Sequence, residues 1–190
     1  MSTQPGSPTA DVSVRVAWAD DAAAIAGVQV KAWREVYDGL LPTDVLDALD
    51  PAELTAVWES SLTKPKDARN RVLVALERNT VRGFAITTPC PDPDADPIVD
   101  GEVSELTVDP EHVRQGHGSR LLQACADTLR ADRFTRAVMW LNSTDDALRA
   151  FVSAAGWAPD GAHRELDLRG DGEVLVKQVR LHTDLTESQG

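Results

Sequence analysis

The stretch 102–130 leaves this chain few ways to fold. It reads EVSELTVDPEHVRQGHGSRLLQACADTLR. Residues 103–108 are rich in β-formers and read as a strand. Asp109-Pro110 ends it, because proline has no N–H for a ladder. Gly116 and Gly118 follow, then an apolar row at Leu121, Leu122, Cys125 and Leu129 that follows one face of a helix. The order is strand, glycine turn, helix. Glycines in such a turn permit positive φ and close approach of a ligand to the backbone. The first turn of the helix leaves N–H groups without intrahelical partners at the positive end of the helix dipole, a natural seat for phosphate. It is not a Walker loop, since no Gly-Lys-Ser or Gly-Lys-Thr occurs in the chain. It is not a dinucleotide fingerprint either, because no third glycine follows Gly118 at the required place.

The rest of the chain alternates the same two patterns. Residues 1–10 read as a disordered tail, rich in Ser, Thr, Pro and Gly. Residues 11–18 alternate as a first strand. Asp20 is placed to cap a helix with Ile25, Val28, Ala32 and Val36 on one face, closing at Asp38-Gly39. Short helices follow at Thr43, carrying Val45, Leu46 and Leu49, and at Asp50-Pro51, with Leu54, Val57 and Trp58 inward. Strands are expected at 71–77, 81–88 and 136–141, a helix at 145–155 capped by Gly156, and a closing hairpin at 157–168 and 173–181. The segment 89–100 carries Asp92, Asp94, Asp96 and Asp100 without a cation and reads as solvated surface, or as an acidic lip attracting amines. Residues 183–190 are expected to fray, leaving one domain over 11–182.

Charge narrows the partners. A formal net charge of −12 argues against a nucleic-acid partner, which needs clustered positive charge. A phosphate-bearing anion would rest on local cations, for which Arg114 and Arg120 flank the turn. No apolar run approaches the roughly 20 residues of a membrane span, and the N-terminus lacks a signal pattern. Cys90 and Cys125 have no partner at metal spacing, and neither His112 nor His163 has a ligand or triad partner in sequence. The expectation is a cytoplasmic protein without a metal. His117, between the two glycines, is expected to face solvent.

The run ELTVDPEHVRQGHGSRLL resembles the acyl-CoA-binding signature of the GNAT superfamily of N-acetyltransferases. There the turn reads Q/R-x-x-G-x-G/A before a helix; here the six positions are Val113, Arg114, Gln115, Gly116, His117 and Gly118, with Val113 replacing the usual Gln or Arg. WREVYDGLLP resembles the first helix and following loop of many bacterial members. WLNSTDDALRAFVSAAGW resembles a second block, W-x-L-x-x-N-x-x-A-x-x-F-Y-x-x-x-G-F, with Asp145 at the Asn position and Val152 where a tyrosine is common.

The resemblance implies an α/β GNAT fold: a mixed sheet of about seven strands with helices on both faces and the fourth and fifth strands splayed apart. It implies acetyl-CoA as co-substrate, with no metal, and an amine acceptor. Leu106, Thr107 and Val108 would hold the thioester end. The amides from Arg114 through Gln115, Gly116, His117 and Gly118 to Ser119 would hold the pyrophosphate, with Val113 and Asp145 beside them. Trp33, Tyr37 and Glu102 would line the acceptor side, and Glu105 would take the amine proton. Tyr37 is the one tyrosine in the chain, so a tyrosine acid is Tyr37 or none. A homodimer is compatible with the family. Two other readings stand beside the enzyme: a GNAT-like module that binds acyl-CoA with little turnover, and an interaction protein that keeps only the fold.

Overall fold

The computed structural model describes residues 12–186; the expected tail at 1–10 and the last four residues lie outside that range. Alternating apolar residues place β1 at Val12–Val16. A 3₁₀ turn at Ala19–Asp21 then leads into α1 at Ala22–Val36. The expected cap at Asp20 is displaced by one residue. It is the Asp21 carboxylate that accepts the Trp18 N–H (2.7 Å) and pairs with Arg15 (2.7 Å). α1 buries Ile25, Val28 and Ala32 as expected, whereas Val36, in its last turn, is 48% exposed. The short α2 (Thr43–Asp47) buries Leu46. α3 (Pro51–Thr63) is capped by Asp50, which accepts the Ala52 N–H (2.8 Å), and it buries Trp58. Val57, expected inward, is exposed. Trp58 sets the face instead: it donates to Gln29 Oε1 of α1 (2.7 Å) and meets Phe84 edge-on at 5.2 Å.

The strands follow at Arg71–Glu77 (β2), Thr80–Pro89 (β3), Asp100–Val108 (β4), Arg136–Asn142 (β5), Ala158–Asp167 (β6) and Leu175–Asp184 (β7), with α4 at His117–Ala131 and α5 at Asp146–Ala154. They form one seven-stranded mixed sheet in the order β1-β2-β3-β4-β5-β7-β6. Period-two alternation divides the apolar residues between its faces. Val74, Leu76 and Phe84 face α1 and α3, while Leu73, Ala75, Ala85, Val103, Met139 and Leu181 face α4 and α5. The sheet holds the chain two residues beyond the expected fraying point. β7 runs to Asp184, and Leu185 is buried with its N–H donated to Thr135 O (2.8 Å), because β5 offers a full-length partner.

The contact between β4 and β5 matters most. β3 pairs with β4 along its length, but β5 pairs with β4, in parallel, only at Asp100, Gly101 and Glu102. Beyond Glu102 the two strands part, as the family resemblance implies.

β3 can lie close against β4 and α4 only because residue 83 has no side chain. A Cβ on Gly83 would fall 2.7 Å from the Thr107 carbonyl oxygen and 3.1 Å from Leu121 Cδ1. Gly83→Ala is therefore expected to cost about 1–3 kcal/mol in urea unfolding. Gly27→Ala, where a Cβ on α1 meets nothing within 4 Å, is expected to be neutral or stabilising by about 0.5–1 kcal/mol.

Candidate active site

The glycine turn is built by backbone conformation. After β4, Asp109 closes a 3₁₀ turn at Pro110–His112, accepting the Glu111 N–H (3.1 Å). Lys31 of α1 reaches Glu111 (2.6 Å) and Asp109 (3.4 Å), fastening that helix to the turn. Asp109, Glu111 and His112 bring possible ligand atoms within 4.8 Å of one another. The Lys31 ammonium already pairs with both carboxylates, and His112 Nδ1 lies 3.3 Å from Asp109, a partner that sequence spacing had not suggested. Arg114 (φ 59°) and Gly116 (φ 86°) are left-handed. Gly116 starts α4 with no side-chain cap. Among the described residues, no amide from 114 to 119 donates to a protein acceptor. A row of N–H groups without protein acceptors at a helix start fits an anionic diphosphate.

Side chains around the turn depart from expectation in two places. His117 is buried, 1% exposed, with neither ring nitrogen hydrogen-bonded. Burial pushes its pKa down, so it stays neutral. The reason is helical: His117 precedes Leu121 by four residues and Cys125 by eight, on the stripe that faces the sheet. That spacing was visible in the sequence. Arg120 does not turn to the glycines; it donates to Val12 O on β1 (3.2 Å). Arg114 is exposed beside the turn, as are Val113, Gln115 and Ser119.

The opening between β4 and β5 carries the second part of the site. Asp109 N–H donates to Arg82 O of β3 (2.7 Å). By alternation, the backbone groups of Leu106 and Val108 point to the other edge, where β5 has departed. Thr107 faces sideways and donates its hydroxyl to the Glu105 carboxylate. One irregularity decides which side chains meet. Ile86 pairs with Glu105 but Thr87 pairs with Val103, so Ser104 is an unpaired bulge. The extra residue puts Glu102 and Glu105, three apart, on the same face as Ile86, toward α1. Without it they would point to opposite faces.

Glu105 and Tyr37 come together there. Burial raises the Glu105 carboxyl, partly offset by the Thr107 hydroxyl. Burial raises the half-buried Tyr37 phenol, and the charge of Glu105 raises it further. Trp33 packs against Tyr37 at right angles, 6.3 Å between centroids. Glu102, 6% exposed, is lifted from 4.5 to about 7, first by burial, then by the Asp92 charge, with Arg164 opposing.

The segment 89–100 is not the uncompensated acidic surface that its sequence suggested. Arg180 of β7, 5% exposed, binds Asp92 (2.9 Å), Asp94 (2.6 Å) and Asp160 (2.8 Å). Trp140 Nε1–H also donates to Asp92 (2.9 Å), and Arg164 stacks on Trp140 at 4.2 Å. The cations come from strands more than 40 residues away in the chain, beyond reach of local reading.

The second block packs as a scaffold. Asp145 caps α5, accepting the Leu148 N–H (2.9 Å). Val152 is fully buried in the α4–α5 core. Phe151 lies close over Gly118: a Cβ there would be 3.6 Å from its ring.

A family model described as the acetyltransferase (GNAT) family matches residues 32–157. An uncharacterized N-acetyltransferase of Bacillus subtilis, YuaI, is 33% identical over 131 residues, covering 68% of this chain and 71% of that protein. This chain belongs to the GNAT acetyltransferase family. Solved structures show the same fold. YncA of Salmonella typhimurium, a candidate acetyltransferase solved with acetyl-CoA, has a TM-score of 0.67 at 20% identity, covering 95% of this chain and 97% of that one. The PaiA N-acetyltransferase of Thermoplasma acidophilum, solved with coenzyme A, has a TM-score of 0.65 at 13% identity, covering 92% and 99%. In this GNAT protein no helix of the described residues is long and apolar enough to cross a membrane.

The raised Glu102 carboxyl has a stability consequence. Its folded pKa lies above the unfolded value, so the native state binds the extra proton and stability falls as pH rises from 4.5 to about 7. Glu102→Gln is expected to raise the unfolding free energy at pH 8 by on the order of 3 kcal/mol at most and to change little at pH 4. Denaturant titrations at both pH values check this.

Proposed function

We propose that this GNAT protein transfers an acetyl group from acetyl-CoA to a primary amine by direct attack. The observation that carries the reading is the parting of β4 from β5 after three pairs, beside a turn whose amides have no protein acceptor. The opened edge presents the Leu106 and Val108 backbone to a thioester arm, and an N–H near Val108 acts as oxyanion donor. The amides from Arg114 to Ser119 receive the pyrophosphate.

An amine must be neutral to attack. Glu105, its carboxyl raised by burial, takes the proton from the acceptor nitrogen, directly or through a water. The new N–C bond forms as the C–S bond breaks, and the thiolate leaves. A thiol pKa near about 8.5 makes that departure tolerable without help. Tyr37 supplies the proton: its phenol, raised by burial and by Glu105, is protonated at neutral pH. It stands in for the tyrosine that Val152 replaces on α5.

A second reading has its own observation. Val152 is sealed in the core and the Asp145 carboxylate is used as a cap, so α5 contributes no catalytic group to the opening. That arrangement suits a module that binds acyl-CoA with little turnover. Thiol release from acetyl-CoA across a panel of amines decides between them. Turnover dependent on an acceptor supports the enzyme; CoA binding without it supports the module.

Two substitutions test the roles. Glu105→Gln is expected to lower kcat by roughly 10²–10⁴-fold while acetyl-CoA affinity holds in a thermal-shift titration; an unaltered kcat removes Glu105 from the mechanism. Gly116→Ala forces an L-residue to φ 86° and is expected to weaken CoA binding about 5–30-fold, a loss of roughly 1–2 kcal/mol.

A further inference from the structure

We propose that Glu102 anchors a second, non-reacting ammonium group, so that the acceptor is an aliphatic diamine or polyamine. This rests on the acetyl-transfer reading and names its substrate class.

Among the described residues, four carboxylic acids are buried: Asp21, Asp100, Glu102 and Asp109. Three are answered by the protein. Asp21 has Arg15, Asp109 has Lys31, and Asp100 has the Asp96 N–H (2.9 Å) with Arg136 at 3.8 Å. Glu102 alone has no hydrogen bond and no ion pair from any described residue, and its carboxylate oxygens still reach solvent. A buried carboxylate without a partner is costly, and an incoming ammonium ion offsets that cost.

The cations nearby are already committed. Arg180 serves Asp92, Asp94 and Asp160; Arg136 serves Asp160 and Asp100. Arg164 donates to Gln178 (2.8 Å) and lies over Trp140, 3.8 Å from Asp92. The acids on these elements therefore use up the arginines, and Asp92 adds repulsion at Glu102. An ammonium ion from a ligand supplies the missing charge. The Cys90 thiol, buried and pushed up to about 11, stays neutral beside it.

Position ties this anchor to the chemistry. Glu102 is the last β4 residue paired with β5, at the closed end of the fork. The Ser104 bulge sets Glu105 on the same face, farther along toward the open end. Three strand residues less a bulge separate the two by roughly 7–10 Å. An alkyl chain of roughly four to six carbons bridges that span. One amine then meets Glu102 as an ammonium ion while the other, deprotonated, is presented beside Glu105. The net charge of −12 favours arrival of a dication.

The test is calorimetric titration of the CoA-loaded protein with cadaverine and, separately, pentylamine. The wild type is expected to bind cadaverine at least about 10-fold more tightly, as one charge-assisted contact warrants, with the advantage growing as pH rises through 7. Glu102→Gln is expected to bring the ratio to within about twofold, and Glu102→Asp to restore part of it. Equal binding of both amines by the wild type, no binding of either, or a Glu102→Gln ratio that stays at the wild-type value overturns the anchor. Thiol release from acetyl-CoA, run on the same samples, separates this from the function itself. Cadaverine bound through Glu102 with no thiol released by any amine keeps the anchor and removes acetyl transfer. Equal acetylation and equal binding of the two amines keep acetyl transfer and remove the anchor.

Discussion

A parallel strand pair that breaks after three residues governs the rest of this molecule. β4 and β5 register at Asp100, Gly101 and Glu102 and then diverge, so one edge of β4 is left with backbone groups that no strand satisfies. Buried backbone polar groups must find partners. An edge of this kind inside a sheet is therefore a ligand site or a defect. The amide row at the start of α4 extends the same open hydrogen-bonding potential around the corner of the turn. The two features lie in one continuous stretch of chain, with only Asp109 and the 3₁₀ turn between them, and Lys31 binds α1 to that junction. That pair of contacts ties α1 to the glycine turn.

The second organising element is a single unpaired residue. The bulge at Ser104 inverts the facing of the strand on one side of it. Val103 can then face the α4 core while Glu102 and Glu105 both face α1. Burial does the rest, raising both carboxyls and the Tyr37 phenol near Glu105. Three groups with displaced titration on one face of the sheet form the pattern expected of a proton-handling site. The Arg180 cluster closes the far end of that face and fixes the loop that carries Asp92.

Much of the fold was legible because its signals are local. The strand at 71–77 was placed to the residue, and the order strand, turn, helix around Gly116 was visible in glycine spacing and apolar periodicity. The misreadings share a cause. Val57 and Val36 fit a helical stripe by count, but the packing of Trp58 on Gln29 and the length of α1 decided which residues are covered. His117 was judged by its glycine neighbours rather than by its place four residues before Leu121. The segment 89–100 looked unpaired because its arginines lie on β5, β6 and β7.

Residue order alone determined the alternation of strands and helices, the left-handed glycine at the head of α4, the absence of a tyrosine at 152, and the motif that marks a GNAT acetyltransferase. Each of these depends on contacts within a few residues or on residue identity itself. Only the folded sheet decided that β4 and β5 part where they do, that Glu102 and Glu105 share a face, and that Tyr37 lies near Glu105. Those outcomes depend on strand register and on burial. Both are set by partners far away in sequence, so no local pattern encodes them.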